Sequence, residues 1–125
     1  MSAEWEKIAS AKRELVLTKI PPSWRLDPLP NVRLVVEYLD LELKETNHIT
    51  DLSAVNLAPK IANGDLSSSK VITAFAHRAA LAHNLTTCCS GISFESAFKR
   101  AKELVNYPNQ NGKTVGPLHG VPISL

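Results

Sequence analysis

The segment that most constrains the fold is a long stretch of helical periodicity in the middle of the chain. Ser67 is a favourable N-cap residue, and the pattern continues from Ser68 to about Asn84. Its apolar and small residues cover a wide stripe of the predicted helix, which indicates substantial burial. The stripe comprises Val71, Ile72, Phe75, Ala76, Arg78, Ala79 and Ala82. We therefore expect other elements to pack around this helix.

The N-terminal part is predicted to be a helix followed by a proline-rich connector. Apolar residues recur at helical spacing from Ser2, a suitable N-cap, to Thr18. Pro21 and Pro22 prevent the helix from continuing. Four of the eight prolines lie in residues 21–30, which favours an extended connector. Trp24 within it is expected to anchor the connector to an apolar surface.

The next two segments differ in how clearly they can be assigned. Residues 31–47 are compatible with a strand or a helix, and an irregular or helical conformation is favoured. Ser53 is then predicted to cap a short helix that ends at Asn63. Gly64 follows in the left-handed conformation. Pro59 lacks a backbone donor and should kink or shorten this helix.

The C-terminal third is predicted to alternate between strands and a helix. Residues 86–93 are rich in β-branched, cysteine and small residues, which favours a short strand. Ser93 is expected to cap a helix whose apolar face comprises Phe94, Ala97, Phe98, Ala101, Leu104 and Val105. Residues 107–116 are predicted to form a polar turn, and residues 117–125 to form another strand.

Composition and charge exclude several classes of protein. Apolar residues make up 44% and charged residues 21%, which is typical of a folded globular chain rather than a disordered one. The formal charge is only +2, and the one basic cluster is Lys99, Arg100 and Lys102. Because nucleic-acid binding calls for denser positive charge with exposed aromatic residues, we expect no nucleic-acid partner. The longest strongly hydrophobic run, residues 34–36, is far too short to span a membrane.

The two cysteines do not favour a disulfide or a metal site. Cys88 and Cys89 are adjacent, so a disulfide between them would be strained. They also lack the two-residue spacer of common zinc sites, even with His83 nearby. Reduced thiols, and with them a cytoplasmic location, are the expectation.

The segment Gly116-Pro117-Leu118-His119-Gly120-Val121-Pro122-Ile123-Ser124-Leu125 is the most informative motif. Two glycines and two prolines in seven residues require an unusual backbone, which then enters an apolar run. A tight turn leading into a buried strand explains this composition. Ser124 and His119 are not expected to act as a catalytic pair because no third partner is present. His119 is instead expected to fix the turn by hydrogen bonding.

This segment resembles the amidase signature family, in its fungal acetamidase or general amidase branch. Other pieces resemble the same family in the same order, and together they cover the chain except residues 31–47. They are Ile20-Pro21-Pro22-Ser23-Trp24-Arg25-Leu26, Ile49-Thr50-Asp51, Gly64-Asp65-Leu66, Ala79-Ala80-Leu81-Ala82-His83 and the helix around Ala97 and Ala101-Lys102-Glu103-Leu104.

The resemblance implies an α/β fold, with this chain supplying the N-terminal helical part and the first core strand of an α/β/α sandwich. The chain itself is expected to be mostly α-helical. Residues 1–125 would form part of a single amidase domain, in which residues 1–48 are the N-terminal helix and connector and residues 49–125 begin the core. The structural residues implied for the motif are Gly116, Pro117, His119, Gly120 and Pro122.

The resemblance also implies a function for the complete relatives, which hydrolyse carboxamides to carboxylates and ammonia. They do so with a Ser–cis-Ser–Lys triad and without a metal or nucleotide cofactor. The family's catalytic lysine would follow Leu125, so we expect a truncated, N-terminal fragment that contains no catalytic residue and is inactive alone. Its uncovered apolar helix faces would favour self-association. The alternative is a non-enzymatic helical interaction module derived from an amidase.

Overall fold

The computed structural model describes residues 3–125, and its regular secondary structure in that range is helical. The elements are α1 (Glu4–Thr18), a 3-10 turn (Pro22–Trp24), α2 (Val35–Glu42), α3 (Asn47–Thr50), α4 (Ala54–Ala62), α5 (Ser68–Thr86) and α6 (Phe94–Asn111). The predicted N-cap Ser2 lies outside the described residues. The backbone N–H of Ala3 donates to the Glu6 carboxylate (3.0 Å), which stabilises the first turn of α1.

Helix α5 occupies the centre of the packing, as predicted. The Ser67 hydroxyl accepts a hydrogen bond from the backbone N–H of Lys70 (3.1 Å) and caps the helix. Helices α2, α3 and α6 and the 3-10 turn all contact α5. Its buried residues lie on more than one face and are Ser68, Val71, Ala74, Ala76, Ala80, Leu81 and His83. The small side chains let neighbouring backbones approach α5 closely.

Two apolar clusters cover α5 at different positions along its length. The first joins α3, α4 and α5 through Ile49, Leu57, Ile61, Val71 and Ala74. The second joins α2 and α5 through Leu39, Leu43 and Leu81. Residues 31–47, whose conformation the sequence left open, therefore include a helix that buries its apolar face on α5.

A polar contact reinforces the position of α2 and α3 on α5. The Arg78 guanidinium donates to the Asp40 carboxylate (2.8 Å) and to the side-chain oxygen of Asn47 (3.4 Å). Arg78 is half-buried, so its charge is less screened by water than that of a fully exposed residue. One side chain of α5 thus reaches both neighbouring helices.

Trp24 anchors the proline-rich connector to α5 and α6, which confirms the prediction. Its indole stacks on the His77 ring, with centroids 4.6 Å apart and planes 16° from parallel. Phe94 and Phe98 approach the indole edge to face, each at 6.2 Å. Burial lowers the pKa of His77, which favours the neutral form of the imidazole beside Trp24.

The Asn84 side chain fixes the connector through hydrogen bonds to the backbone. Its amide nitrogen donates to the carbonyls of Trp24 (3.1 Å) and Ala80 (2.7 Å). Its amide oxygen accepts from the backbone N–H of Leu26 (3.0 Å). The contacts with Trp24 and Leu26 join residues 60 and 58 positions apart in the sequence, so one side chain satisfies backbone polar groups of the distant connector.

Helix α4 agrees with the predicted caps. The Ser53 hydroxyl accepts from the backbone N–H of Asn56 (3.4 Å), and Gly64 adopts a φ of +82° after the helix. Pro59 lies inside α4, which nevertheless continues to Ala62. The proline therefore removes one backbone donor without ending the helix.

Both predicted strands are wrong, because residues 3–125 contain no β-strand. Thr86 is the last residue of α5, and Thr87 then turns the chain with a φ of +55°. Residues 87–93 and 121–125 have no regular secondary structure. A strand is stabilised by hydrogen bonds to a neighbouring strand, and the described part of the chain offers no such neighbour to β-prone sequences.

Helix α6 departs from the prediction at both ends. Ser93 precedes the helix, but its side chain makes no capping hydrogen bond. The predicted polar turn at residues 107–116 is wrong in its first half, because α6 continues through Pro108 to Asn111. Gly112, with a φ of +67°, then ends the helix.

The apolar stripe of α1 is mostly exposed, although the helix itself is confirmed. Trp5 and Ile8 are 67% and 64% exposed, and Leu15 is also exposed. Val16, by contrast, is buried. The described residues therefore leave one apolar helix face without a partner.

We predict that Asn84→Ala lowers the free energy of unfolding by about 2–3 kcal/mol, because it leaves the Leu26 N–H and the Trp24 carbonyl without their partner. Asn106→Ala is the matched control. Its amide donates only to the Lys102 carbonyl within the same helix (3.3 Å) at an exposed position, so a change of about 0.5 kcal/mol or less is expected. Urea denaturation followed by circular dichroism measures both, and equal losses would contradict the prediction.

Candidate functional site: the segment from Gly116 to Pro122

The segment from Gly116 to Pro122 is folded into two consecutive turns. The backbone N–H of His119 donates to the Gly116 carbonyl (3.2 Å), and that of Val121 donates to the Leu118 carbonyl (3.1 Å). Pro117 is exposed and Pro122 is half-buried. Val121 packs against the apolar cluster shared by α3, α4 and α5. The turns thus place a short apolar anchor against the core.

His119 is buried and both of its ring nitrogens are occupied. Nδ1 accepts a hydrogen bond from the backbone N–H of Val115 (3.2 Å). Nε2 therefore carries the proton and donates to the Leu104 carbonyl (3.0 Å). This geometry requires the neutral imidazole in a single tautomer.

The carbonyl that His119 contacts is one that the helix cannot satisfy by itself. In a regular helix the Leu104 carbonyl would accept from the backbone N–H of residue 108, but Pro108 has no N–H. The imidazole takes the place of that donor. Pro108 thus leaves the Leu104 carbonyl without a backbone donor, and His119 of the segment from Gly116 to Pro122 (the turn segment) supplies one.

Gly120 is required by both its backbone and its surroundings. Its φ of +76° is a conformation that side chains other than glycine rarely adopt. A Cβ atom here would clash with the Ser68 hydroxyl and lie 3.0 Å from Ile61 Cγ2. Only a glycine at position 120 therefore lets the segment lie this close to the first turn of α5 and the end of α4.

The geometry does not pair His119 with Ser124. Because both nitrogens of His119 have backbone partners, neither can take a proton from Ser124, which is exposed. A groove of about 430 Å³ lies between α4 and residues 114–118. Among its lining residues only Thr114 carries a polar side chain. The groove therefore holds no nucleophile paired with a base.

The cysteines and His83 come together in the loop after α5. The Sγ atoms of Cys88 and Cys89 are 3.9 Å apart, and His83 Nδ1 accepts from the backbone N–H of Cys89 (3.0 Å). Both thiols are free. Partial burial, followed by the influence of Cys88, raises the pKa of the Cys89 thiol.

The basic cluster on α6 is a solvated helix face. Lys99, Arg100 and Lys102 are all exposed. Arg100 pairs with Glu103 on the same face (3.0 Å), and the exposure of both side chains makes this a weak surface ion pair. Within residues 3–125, none of the helices is long and apolar enough to cross a membrane.

The sequence and the fold of this chain are similar to those of known proteins. A family model described as Amidase matches residues 70–125, which include α5, α6 and the turn segment. The solved structure of a fatty acid amide hydrolase superposes with a TM-score of 0.82 and 41% sequence identity. The match covers 95% of this chain and 23% of that chain. In fold and in sequence, the chain is therefore similar to one part of that hydrolase.

Fungal relatives make the assignment more specific. The acetamidase of Emericella nidulans is 38% identical over an alignment that covers 100% of this chain and 23% of the relative. The acetamidase of Aspergillus oryzae is 41% identical, with 99% and 23% covered. The chain belongs to the amidase family and corresponds to the N-terminal portion of its fungal members. It spans about a quarter of the length of these relatives.

The motif residues suggested by the resemblance differ in how closely they pack against the rest of the fold. His119 and Gly120 make the close contacts, whereas a Cβ at Gly116 would meet no atom within 4 Å. The roles of Ser68, Leu104 and Pro108 were not predicted from the sequence. The sequence did contain one signal for the contact with Leu104, namely a proline inside a helical pattern. A proline has no N–H, so the carbonyl four residues earlier needs another donor.

We predict that Gly120→Ala lowers the free energy of unfolding by about 2–4 kcal/mol, because it combines an unfavourable φ with a steric clash. Gly112→Ala has the positive φ without the clash, so about 1–2 kcal/mol is expected. Gly91→Ala has neither and should cost about 0.5 kcal/mol or less. Chemical denaturation of the three variants gives the ranking, and a Gly120→Ala variant as stable as Gly91→Ala would contradict the prediction.

We also predict that the contact of His119 with Leu104 depends on Pro108. His119→Ala should cost about 2–3 kcal/mol, because it leaves a buried carbonyl unsatisfied. In a Pro108→Ala background the backbone N–H of residue 108 can supply that bond, so the cost should fall by about 1 kcal/mol. A double-mutant cycle by urea denaturation measures this coupling. His48→Ala, which replaces an exposed histidine, is the control. Additive effects would show that the two residues act independently.

Proposed function

We propose that this chain forms the N-terminal helical part of a single amidase domain, and that the complete protein hydrolyses small carboxamides to carboxylates and ammonia. The observation that carries the proposal is the agreement along the chain, in sequence and in fold, with proteins named as amide hydrolases. An acetamide-like substrate is supported by the names of two of these relatives. The division at residues 48 and 49 into connector and core remains a prediction.

The contribution of residues 1–125 to that reaction is positional. Hydrolysis of an amide needs an activated nucleophile, a base and donors for the developing oxyanion. The turn segment supports none of these roles directly, because His119 is occupied and the adjoining groove is apolar. What it does supply is a fixed backbone immediately before Ile123, held by Gly120 and by Val121 against the core. Metal and nucleotide cofactors are not part of the proposal.

The exposed face of α1 supports a second candidate, an interaction module derived from an amidase. Trp5, Ile8 and Leu15 form an unpartnered apolar surface of a kind that favours association, either with another protein or with a second copy of the chain. Nucleic acid is not a proposed partner, because the basic side chains of α6 carry no interleaved exposed aromatic residues. The two free thiols favour a reducing compartment such as the cytoplasm.

We predict that residues 1–125 alone release no ammonia from acetamide above a heat-denatured control, because the turn segment and its groove offer no nucleophile paired with a base. Replacing the matching portion of the Aspergillus oryzae acetamidase with residues 1–125 should instead give an active chimera. Ammonia release measures both. Turnover by the isolated chain would overturn the positional role.

The chimera also separates the two candidate functions. An amidase part predicts activity that Gly120→Ala reduces at least tenfold and that Gly91→Ala leaves within about twofold, since only the former disturbs the packing before Ile123. A folded but inactive chimera would argue for the interaction module.

A further inference from the structure

The loop that follows α5 brings three soft ligand atoms into one small volume. Spacing in the sequence argued against a metal site, yet the ligand atoms of His83, Cys88 and Cys89 all lie within 4.8 Å of one another. Three features of the fold produce this convergence: the position of His83 in the last turn of α5, the left-handed turn at Thr87, and the hydrogen bond from the Cys89 backbone to the imidazole.

The backbone at Thr87 is the element that closes the cluster. Thr87 has a φ of +55°, which is uncommon for a β-branched residue. Its N–H still donates to the His83 carbonyl (2.8 Å), and Thr87 is the single residue between the end of α5 and Cys88. The reversal then lets the Cys89 N–H reach His83 Nδ1 (3.0 Å). That hydrogen bond orients the imidazole so that Nδ1 faces the cysteines.

The distance between the sulfur atoms is suited to one tetrahedral ion. Two thiolates bound to Zn²⁺ at about 2.3 Å lie about 3.8 Å apart when the angle at the metal is tetrahedral. The observed separation of the Cys88 and Cys89 sulfur atoms is 3.9 Å. The two sulfur atoms are thus already at the separation that one tetrahedral ion requires, whereas a disulfide would need them to approach to about 2.0 Å.

We propose that His83, Cys88 and Cys89 form a binding site for a divalent, thiophilic cation of the Zn²⁺ class. Two thiolates and one imidazole are one of the donor sets found in three-ligand zinc sites, which leave a fourth position to water. His83 is buried, Cys88 is exposed and Cys89 lies between, so the site is open to solvent on the side of Cys88. Binding releases one proton from each thiol and replaces the amide hydrogen at His83 Nδ1 by the ion.

Cobalt(II) added to the reduced 125-residue chain tests the proposal, because a tetrahedral thiolate complex absorbs intensely in the near ultraviolet and the visible. We expect saturation at one ion per chain and displacement by zinc(II). The absorbance is measured per chain, so self-association does not affect the reading. Saturation at half an ion per chain, or no thiolate-to-cobalt absorption, would overturn the proposal.

Variants identify the ligands. Cys88→Ser and Cys89→Ser should each weaken zinc(II) binding at least tenfold, measured by competition with a chromophoric chelator. Both positions lie in the loop outside the helices, and circular dichroism checks that the fold is unchanged. His83→Gln should weaken zinc(II) binding similarly. His48→Gln, which replaces an exposed histidine, should leave the affinity for zinc(II) within twofold. Binding that survives the two cysteine substitutions would rule the site out.

A second measurement does not depend on the buried histidine. Zinc(II) at one equivalent should protect both thiols from alkylation by iodoacetamide, because the metal-bound thiolates are not free nucleophiles. Mass spectrometry counts the alkyl groups per chain. Unchanged alkylation of both cysteines in the presence of zinc(II) would contradict the site.

Discussion

Burial of α5 on more than one face is the constraint on which the other elements depend. A helix with Val71, Ala76 and Ala80 all buried cannot remain at a surface, so α2, α3 and α6 and the connector each cover part of it. Burial of this apolar area supplies the main driving force for packing. Its small side chains determine how closely the partners approach. The exposed α1 is the exception, and its apolar face is unpartnered in the described residues.

Single polar side chains hold the segments that have no regular structure. Asn84 provides one donor and one acceptor for the connector, and His119 provides the donor that Pro108 removed from α6. Both act on backbone groups that would otherwise be partly or wholly buried without a partner, which is costly. The amidase-like turn segment is therefore fixed by the same physical requirement as the connector, namely that buried backbone groups be paired.

The sequence predicted elements with local signals well and elements with distant partners poorly. Periodicity and caps located α1, α4 and α5, because these signals reside in neighbouring residues. Residues 86–93 and 117–125 were predicted as strands from their β-prone composition, but a strand depends on a partner that composition does not specify. The extension of α6 through Pro108 was missed for a related reason. The proline is tolerated there because His119, 15 residues from Leu104, supplies the missing hydrogen bond.

By itself the sequence determined the helical character of the chain, the need to bury α5 and, through its motif residues, membership of the amidase family. Only the tertiary structure decided which backbone groups His119 and Asn84 would satisfy, and that Gly120 would lie against Ser68. It also decided that His83, Cys88 and Cys89 would meet, although the spacing of the cysteines had argued against a metal site. The physical reason is that helix formation follows from local periodicity and capping, whereas these contacts depend on the three-dimensional path of the chain between them.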